Sequence, residues 1–221
     1  MPSSTVEDYV KQIYLEQLQA PGQLVAMGRL AGAMGVVPGT ATSMMKALAD
    51  AGLVEYEPRS GARLTPGGER LALHVLRRHR LVELLLVQVL GLDWSEVHQE
   101  AEELEHAISD KVIDRIDKVL GHPSVDPHGD PIPSPMGKVD QSKYASLADC
   151  PLAQRVRIVR VIDQDPAFLQ FIERCGLKPG TDVTVEVRDG LADAVWVRPA
   201  DRRPLTLGTK AAAKILVEAA E

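Results

Sequence analysis

The sequence predicts a mainly α-helical chain with a small β part: a winged helix-turn-helix, a helical middle and an SH3-like β-barrel. Three observations carry this. Apolar residues recur at helical spacing through the first 120 positions. The segment "GHPSVDPHGDPIPSPMG" is dense in proline and glycine and breaks that pattern. From about residue 146 the pattern becomes the strict alternation of half-buried strands. The expected divisions are 1–64, 65–133, a Pro-rich linker over 134–145, and 146–221.

In "TVEDYVKQIYLEQLQ" the apolar positions 6, 10, 13 and 14 mark one helix, which "PGQ" ends. "LVAMGRLAGAMGV" is a short second helix, "VPGT" a turn, and "ATSMMKALADAG" a third helix stopped by Gly52. "LVEYEPRSGARLTP" reads as two strands in a hairpin with Gly61 at the tip. Thr65 and Pro66 suit an N-cap and first helical position, so a long helix is expected to Gly91. Ser95 and Ser109 are expected to cap the next two helices. In the last third, "RVRIVRVI", "TDVTVEV", "AVWVRP" and "RPLTLG" are strands, and "DPAFLQFIERCGLKPG" is a helix among them.

Helix, turn, helix and hairpin in 64 residues make a winged helix-turn-helix, a unit that enters the DNA major groove. The small hydroxyl residues Thr40, Thr42 and Ser43 open its second helix, where they can approach base edges. Lys46 can reach a phosphate, and Arg29, Arg59 and Arg63 can hold the backbone on either side. The chain's net charge of −6 works against nucleic acid, but the excess is local. Nine carboxylates fall within residues 93–117 against only Lys111 and Arg115, an imbalance that divalent cations would relieve.

Within that run, "HQEAEELEHAIS" places His98, Glu102, Glu105 and His106 at i, i+4, i+7 and i+8, one face of a helix. His79 and Glu83 form a second one-face pair in "RRHRLVELLL". Imidazole and carboxylate without thiolate suit Mn²⁺, Fe²⁺ or Zn²⁺. Cys150 and Cys175 have no C-x-x-C spacing, which argues against a thiolate zinc site or a disulfide scaffold. With no apolar run near ~18 residues and no signal-peptide pattern, a cytoplasmic protein without membrane contact is expected. No nucleophile motif, phosphate loop or H-E-x-x-H appears, so no enzyme is expected. A hydrolase using the carboxylate cluster is a rival that needs a general base in a cleft. A metal-storage protein that ignores DNA is another.

The segments "VEDYVKQIY", "RRHRLVELLL", "GLDWSEVHQEAEELEHAIS" and "HGDPIP" together resemble, in order, the diphtheria toxin repressor/manganese transport regulator family of metal-dependent repressors. The resemblance spans the chain and implies a DNA-binding domain, a helical dimerisation and metal-binding domain, and an SH3-like (FeoA-like) domain. It implies a primary metal site from Asp8, Glu102, Glu105 and His106. It implies an ancillary site from His79, Glu83 and His98 with an acid from the last domain, Asp165 being the candidate. The iron branch has Met and Cys where Asp8 and Glu102 stand. Oxygen donors there suit Mn²⁺, so the ligand set is of manganese type, with Fe²⁺ the alternative and Zn²⁺, Co²⁺ or Cd²⁺ expected to substitute in vitro. Lys11 stands where the manganese type has a second acid. The implied partners are a palindromic double-stranded DNA operator and a second copy of the chain. The apolar run "LLLVQVL" (84–90) also favours a homodimer.

Overall fold

The structure, a computed structural model, describes residues 3–220. The chain divides into two compact units, and the boundary falls between Arg78 and His79, inside one helix. The first unit takes the chain up to Arg78 together with Pro133–Lys138; the second takes His79–Ile132 and the chain from Val139 onward.

In the first unit, α1 (Ser4–Gln19) starts at Ser3, whose hydroxyl accepts from the Val6 amide. After it come α2 (Met27–Ala33), α3 (Pro38–Asp50), the hairpin β1 (Val54–Glu57) and β2 (Gly61–Leu64), and the start of α4 (Pro66–Gln88). Ile13, Leu30, Met45 and Leu48 are fully buried and fill the space between the helices and the hairpin. Thr65 joins the hairpin to α4: its hydroxyl donates to the Gly52 carbonyl (2.7 Å) and accepts from the Gly68 amide (3.1 Å). Gly61 is not at the hairpin tip. It is the first residue of β2 and pairs with Glu57, while Arg59, at positive φ, makes the turn. The position needs glycine because a Cβ there would meet the Val25 carbonyl at 2.6 Å. Val25 adds a further rung by bridging to Ala62.

In the second unit, the rest of α4 is followed by α5 (Val97–Leu104) and α6 (Asp110–Val119). Leu81, Val82, Val97, Ala101 and Ile113 form their common core. Ser95 does not cap α5. Its amide and hydroxyl both donate to Asp93 Oδ1, and the N-cap position is Glu96. Ser109 stands at the N-cap of α6 but makes no side-chain capping bond.

The same unit holds β3 (Ala145–Ser146), β4 (Arg155–Val161), α7 (Pro166–Cys175), β5 (Asp182–Asp189), β6 (Ala194–Pro199), β7 (Leu205–Gly208), α8 (Thr209–Ala212) and β8 (Ile215–Ala219). The strands form one antiparallel sheet in the order β3-β8-β4-β5-β6-β7. The four expected strands are present. β3, β8 and α8 were not expected, and β8 is the strand that pairs β3 with β4. Trp94, from the turn before α5, sits in the core of this sheet domain with Ile158, Leu169, Ile172 and Val197. Its indole N–H donates to Glu173 on α7 at 3.2 Å. Among the described residues, no helix is long and apolar enough to cross a membrane.

Candidate metal centre

α4 turns His79 and Glu83 to one side, one turn apart, and buries both. His79 Nε2 lies 3.0 Å from Glu83 Oε1, and His98 Nδ1, from α5, lies 3.2 Å from the same oxygen. The two imidazoles meet edge to face with centroids 4.9 Å apart. On its other side His79 Nδ1 lies 2.5 Å from Glu105 Oε2 and 3.6 Å from Glu102 Oε1. His106 Nε2 is 3.4 Å from Glu105 Oε1. Of the expected second-unit ligands, Glu83, His98, Glu102 and Glu105 therefore lie around His79, His106 stands against Glu105, and Glu105 is wholly buried. α5 ends at Leu104, so the face that begins at His98 is not one continuous helix. Glu105 keeps helical φ and ψ as the C-cap and still turns inward.

A further group was missed from the sequence. Glu83, Asp126 and His128 are all buried, and each offers one donor atom within 4.8 Å of the other two. Asp126 Oδ1 shapes its own turn by accepting from the His128 amide (2.8 Å) and the Asp130 amide (2.9 Å). His128 Nε2 lies 2.8 Å from the Trp94 carbonyl. A carbonyl only accepts, so Nε2 of the neutral ring carries the hydrogen and Nδ1 keeps its lone pair. Nδ1 is 3.9 Å from Glu83 Oε2 and 4.0 Å from Asp126 Oδ1. Glu83 Oε2, Asp126 Oδ2 and His128 Nδ1 are buried without a hydrogen-bond partner.

Buried polar atoms are nearly always hydrogen-bonded, and three buried acceptors in one place without a hydrogen bond, with Arg80 Nε 3.7 Å from Asp126 Oδ2, fit a cation. The electrostatics agree. Burial works to raise the Glu83 pKa, but the charge and hydrogen bonds of His79, with help from His98 and His128, outweigh it and hold Glu83 well below the usual carboxylate range. Burial, then the neighbouring Asp130 and Glu83 carboxylates, push Asp126 well above its usual value despite Arg80. A cation among them would offset that repulsion.

The signal for this group is "DPHGD", two acids and an imidazole in five residues, hidden inside a stretch whose prolines read as linker. Asp165 is not brought to these residues. Among the described residues no group able to share an ion includes it; its carboxylate caps α7, accepting from the Phe168 amide at 3.1 Å. Asp165→Ala is therefore expected to cost ~1 kcal/mol of stability and to leave metal stoichiometry unchanged. Calorimetric metal titration beside a thermal melt checks both.

The residues expected at DNA lie in the first unit, as does Asp8 on α1. Thr40, Ser43 and Lys46 are exposed on α3, and Arg59 is exposed at the hairpin turn. The Thr42 hydroxyl donates to the Pro38 carbonyl at 2.8 Å and the Ser43 hydroxyl to the Gly39 carbonyl at 3.0 Å, so both turn lone pairs outward as acceptors. Arg29 pairs with Glu16, and Arg63 pairs with Glu55 across the hairpin at 2.6 Å, which partly spends their charge.

Three family models match the chain. Residues 1–62 match the iron-dependent repressor N-terminal DNA-binding domain, 65–134 the iron-dependent repressor metal-binding and dimerisation domain, and 145–219 the FeoA domain. The iron-dependent repressor IdeR of Mycobacterium tuberculosis is 32% identical over 198 residues, covering 84% of this chain and 85% of that protein. The diphtheria toxin repressor of Corynebacterium efficiens is 32% identical over 224 residues, covering 89% and 96%. Among solved structures, a manganese-dependent transcriptional repressor in complex with manganese superposes with a TM-score of 0.88 at 37% identity, covering 97% of this chain and 100% of that one.

Proposed function

This chain belongs to the family of iron-dependent repressors, metal-dependent DNA-binding regulators of transcription, and we propose that it is a manganese-responsive member that controls metal-ion homeostasis genes as a homodimer on a palindromic operator. The observation that carries the metal is the trio of buried acceptors without a hydrogen bond on Glu83, Asp126 and His128. With His79 and His98, these residues hold one cation. Asp126 and His128 are here the fourth and fifth ligands, in place of an acid from α7. Asp8, Glu102, Glu105 and His106 form the primary set, in which every donor is oxygen or imidazole. Mn²⁺ lies at the weak end of the divalent series and gains little from sulfur, which favours it over Fe²⁺ at such a set. The 32% identity to iron-dependent repressors keeps Fe²⁺ as the second reading. A cation supplies positive charge at a cluster that would otherwise repel phosphate. Filling the sites favours one arrangement of the reading heads.

Thr40, Thr42, Ser43 and Lys46 face the major groove in this reading, and Arg29, Arg59 and Arg63 flank it. Titration of DNA from the chain's own promoter region across Mn²⁺, Fe²⁺, Co²⁺ and Zn²⁺ tests the proposal, with tightest binding expected in Mn²⁺. Lys46→Ala should weaken binding across all sequences and lower the salt slope by about 1. Binding that is equal with and without metal would overturn the metal response. Val89, Leu90, Val112 and Val119 expose apolar surface on the helical segment, the kind of face that a second copy covers. Sedimentation at micromolar protein with Mn²⁺ is expected to give a dimer, and a monomer would refute it.

A further inference from the structure

The turn that carries Asp126 and His128 does not hang free as a linker would. It is pinned to the sheet domain at several points, all within the second unit. The Val161 amide, on β4, donates to the His128 carbonyl at 2.9 Å. Gly129 has φ +86, and a Cβ there would collide with the Val159 carbonyl, so this backbone lies directly on β4. Asp130 forms an ion pair with Arg160 on β4. It also accepts from the side-chain Nε2 of Gln164 at 2.7 Å, just before α7. On the other side Arg80, buried on α4, lies 3.8 Å from Asp130 and 3.7 Å from Asp126, and donates to the Pro131 carbonyl. The donors Asp126 Oδ2 and His128 Nδ1 thus sit on a five-residue turn held between α4 and β4.

We propose that the His128-Gly129-Asp130 turn couples cation binding to the seating of the sheet domain, with Gly129, Asp130 and Arg160 as positioning residues that touch no ion. This presupposes that Glu83, Asp126 and His128 hold the metal. Asp126 Oδ1 accepts from the amides of His128 and Asp130, so the carboxylate and the turn move as one body. A displacement of β4 then moves two of the three donors away from Glu83, which stays on α4. Coupling is reciprocal: what the sheet domain does for the cation, the cation does for the sheet domain.

The experiment uses the full chain and Mn²⁺. Metal binding is followed by calorimetry, and exchange of the Val161 amide hydrogen by NMR or mass spectrometry. In the unaltered protein Mn²⁺ is expected to slow Val161 exchange. Arg160→Met should weaken this one binding event about tenfold, within the range of typical coupling energies, and should shrink the protection of Val161. Arg160→Lys keeps the charge and should restore most of both. Gly129→Ala acts on the same link by sterics; if it fails to fold, the Arg160 pair still decides. His128→Ala serves as the reference for the metal assignment and should lose one metal equivalent. If His128→Ala loses the equivalent while Arg160→Met binds and protects like the parent, the coupling is overturned and the site stands. If His128→Ala keeps full stoichiometry, the assignment of the ion fails and the coupling falls with it.

Discussion

Glu83→Gln is expected to weaken Mn²⁺ binding at the α4 site by about 100-fold or more, since loss of a mere outer partner of a metal ligand already costs 10–100-fold. Glu83 is the one residue shared by both donor groups there. Its Oε1 serves His79 and His98, and its Oε2 faces His128. Only 1% of it is exposed, so no water takes over the charge. The change to Gln keeps volume and one acceptor, and the amide oxygen can still accept from either imidazole, so the fold should persist. What disappears is the anionic charge that His79 and His98 hold in place against burial. Calorimetry with Mn²⁺, beside a thermal melt of the metal-free protein, separates loss of site from loss of fold. Binding within twofold of the parent would remove Glu83 from the site and with it the role assigned to its unpartnered oxygen.

How much of this was legible in the sequence depended on whether the information was periodic. His79, Glu83 and His98 could be read because helices repeat every 3.6 residues and place i and i+4 together. The winged unit could be read for the same reason, since each helix has its own apolar stripe. Asp126 and His128 could not. Their turn has no period; it is set by an aspartate bonding to amides two and four residues on, and by a glycine lying on a strand some 30 residues away. Composition marked it only as loop or linker because prolines are common in both rigid turns and loose connections. Gly61 was misplaced for a related reason. Its need for glycine comes from Val25, which the hairpin sequence does not contain. Asp165 fits a helix cap and a ligand equally well in sequence, and in the structure its carboxylate accepts from the Phe168 amide as the cap of α7. β8 was missed because "ILVEA" is short and stands at the end of the chain, where its pairing with β3 and β4 is long-range.

Replacing Asp8 with Met and Glu102 with Cys together is expected to reverse the order of metals, from Mn²⁺ toward Fe²⁺ and Co²⁺, by an order of magnitude or more in relative affinity. The physical ground is donor softness. A carboxylate oxygen is a hard donor that binds Mn²⁺ mainly by charge. A thiolate or thioether donates into ions further along the divalent series, whose intrinsic affinity for nitrogen and sulfur is higher. Glu102 is suited to the exchange, since it lies on α5 within 3.6 Å of His79 Nδ1 and is more than a third exposed. A cysteine in its place adds no burial of charge. The effect should be larger for the pair than for either change alone, because two residues that bind one ion are coupled and not additive. The measurement is competitive titration of the double variant and both single variants against Mn²⁺, Fe²⁺ and Co²⁺ under anaerobic, reducing conditions, with DNA binding read in parallel. A thiolate-to-cobalt charge-transfer band in the near ultraviolet would report directly that the new cysteine ligates. An unchanged metal ranking, with that band present, would mean that selectivity is set elsewhere. The thiol-free α4 site, with its Glu83, Asp126 and His128 donors, would then be the place to look.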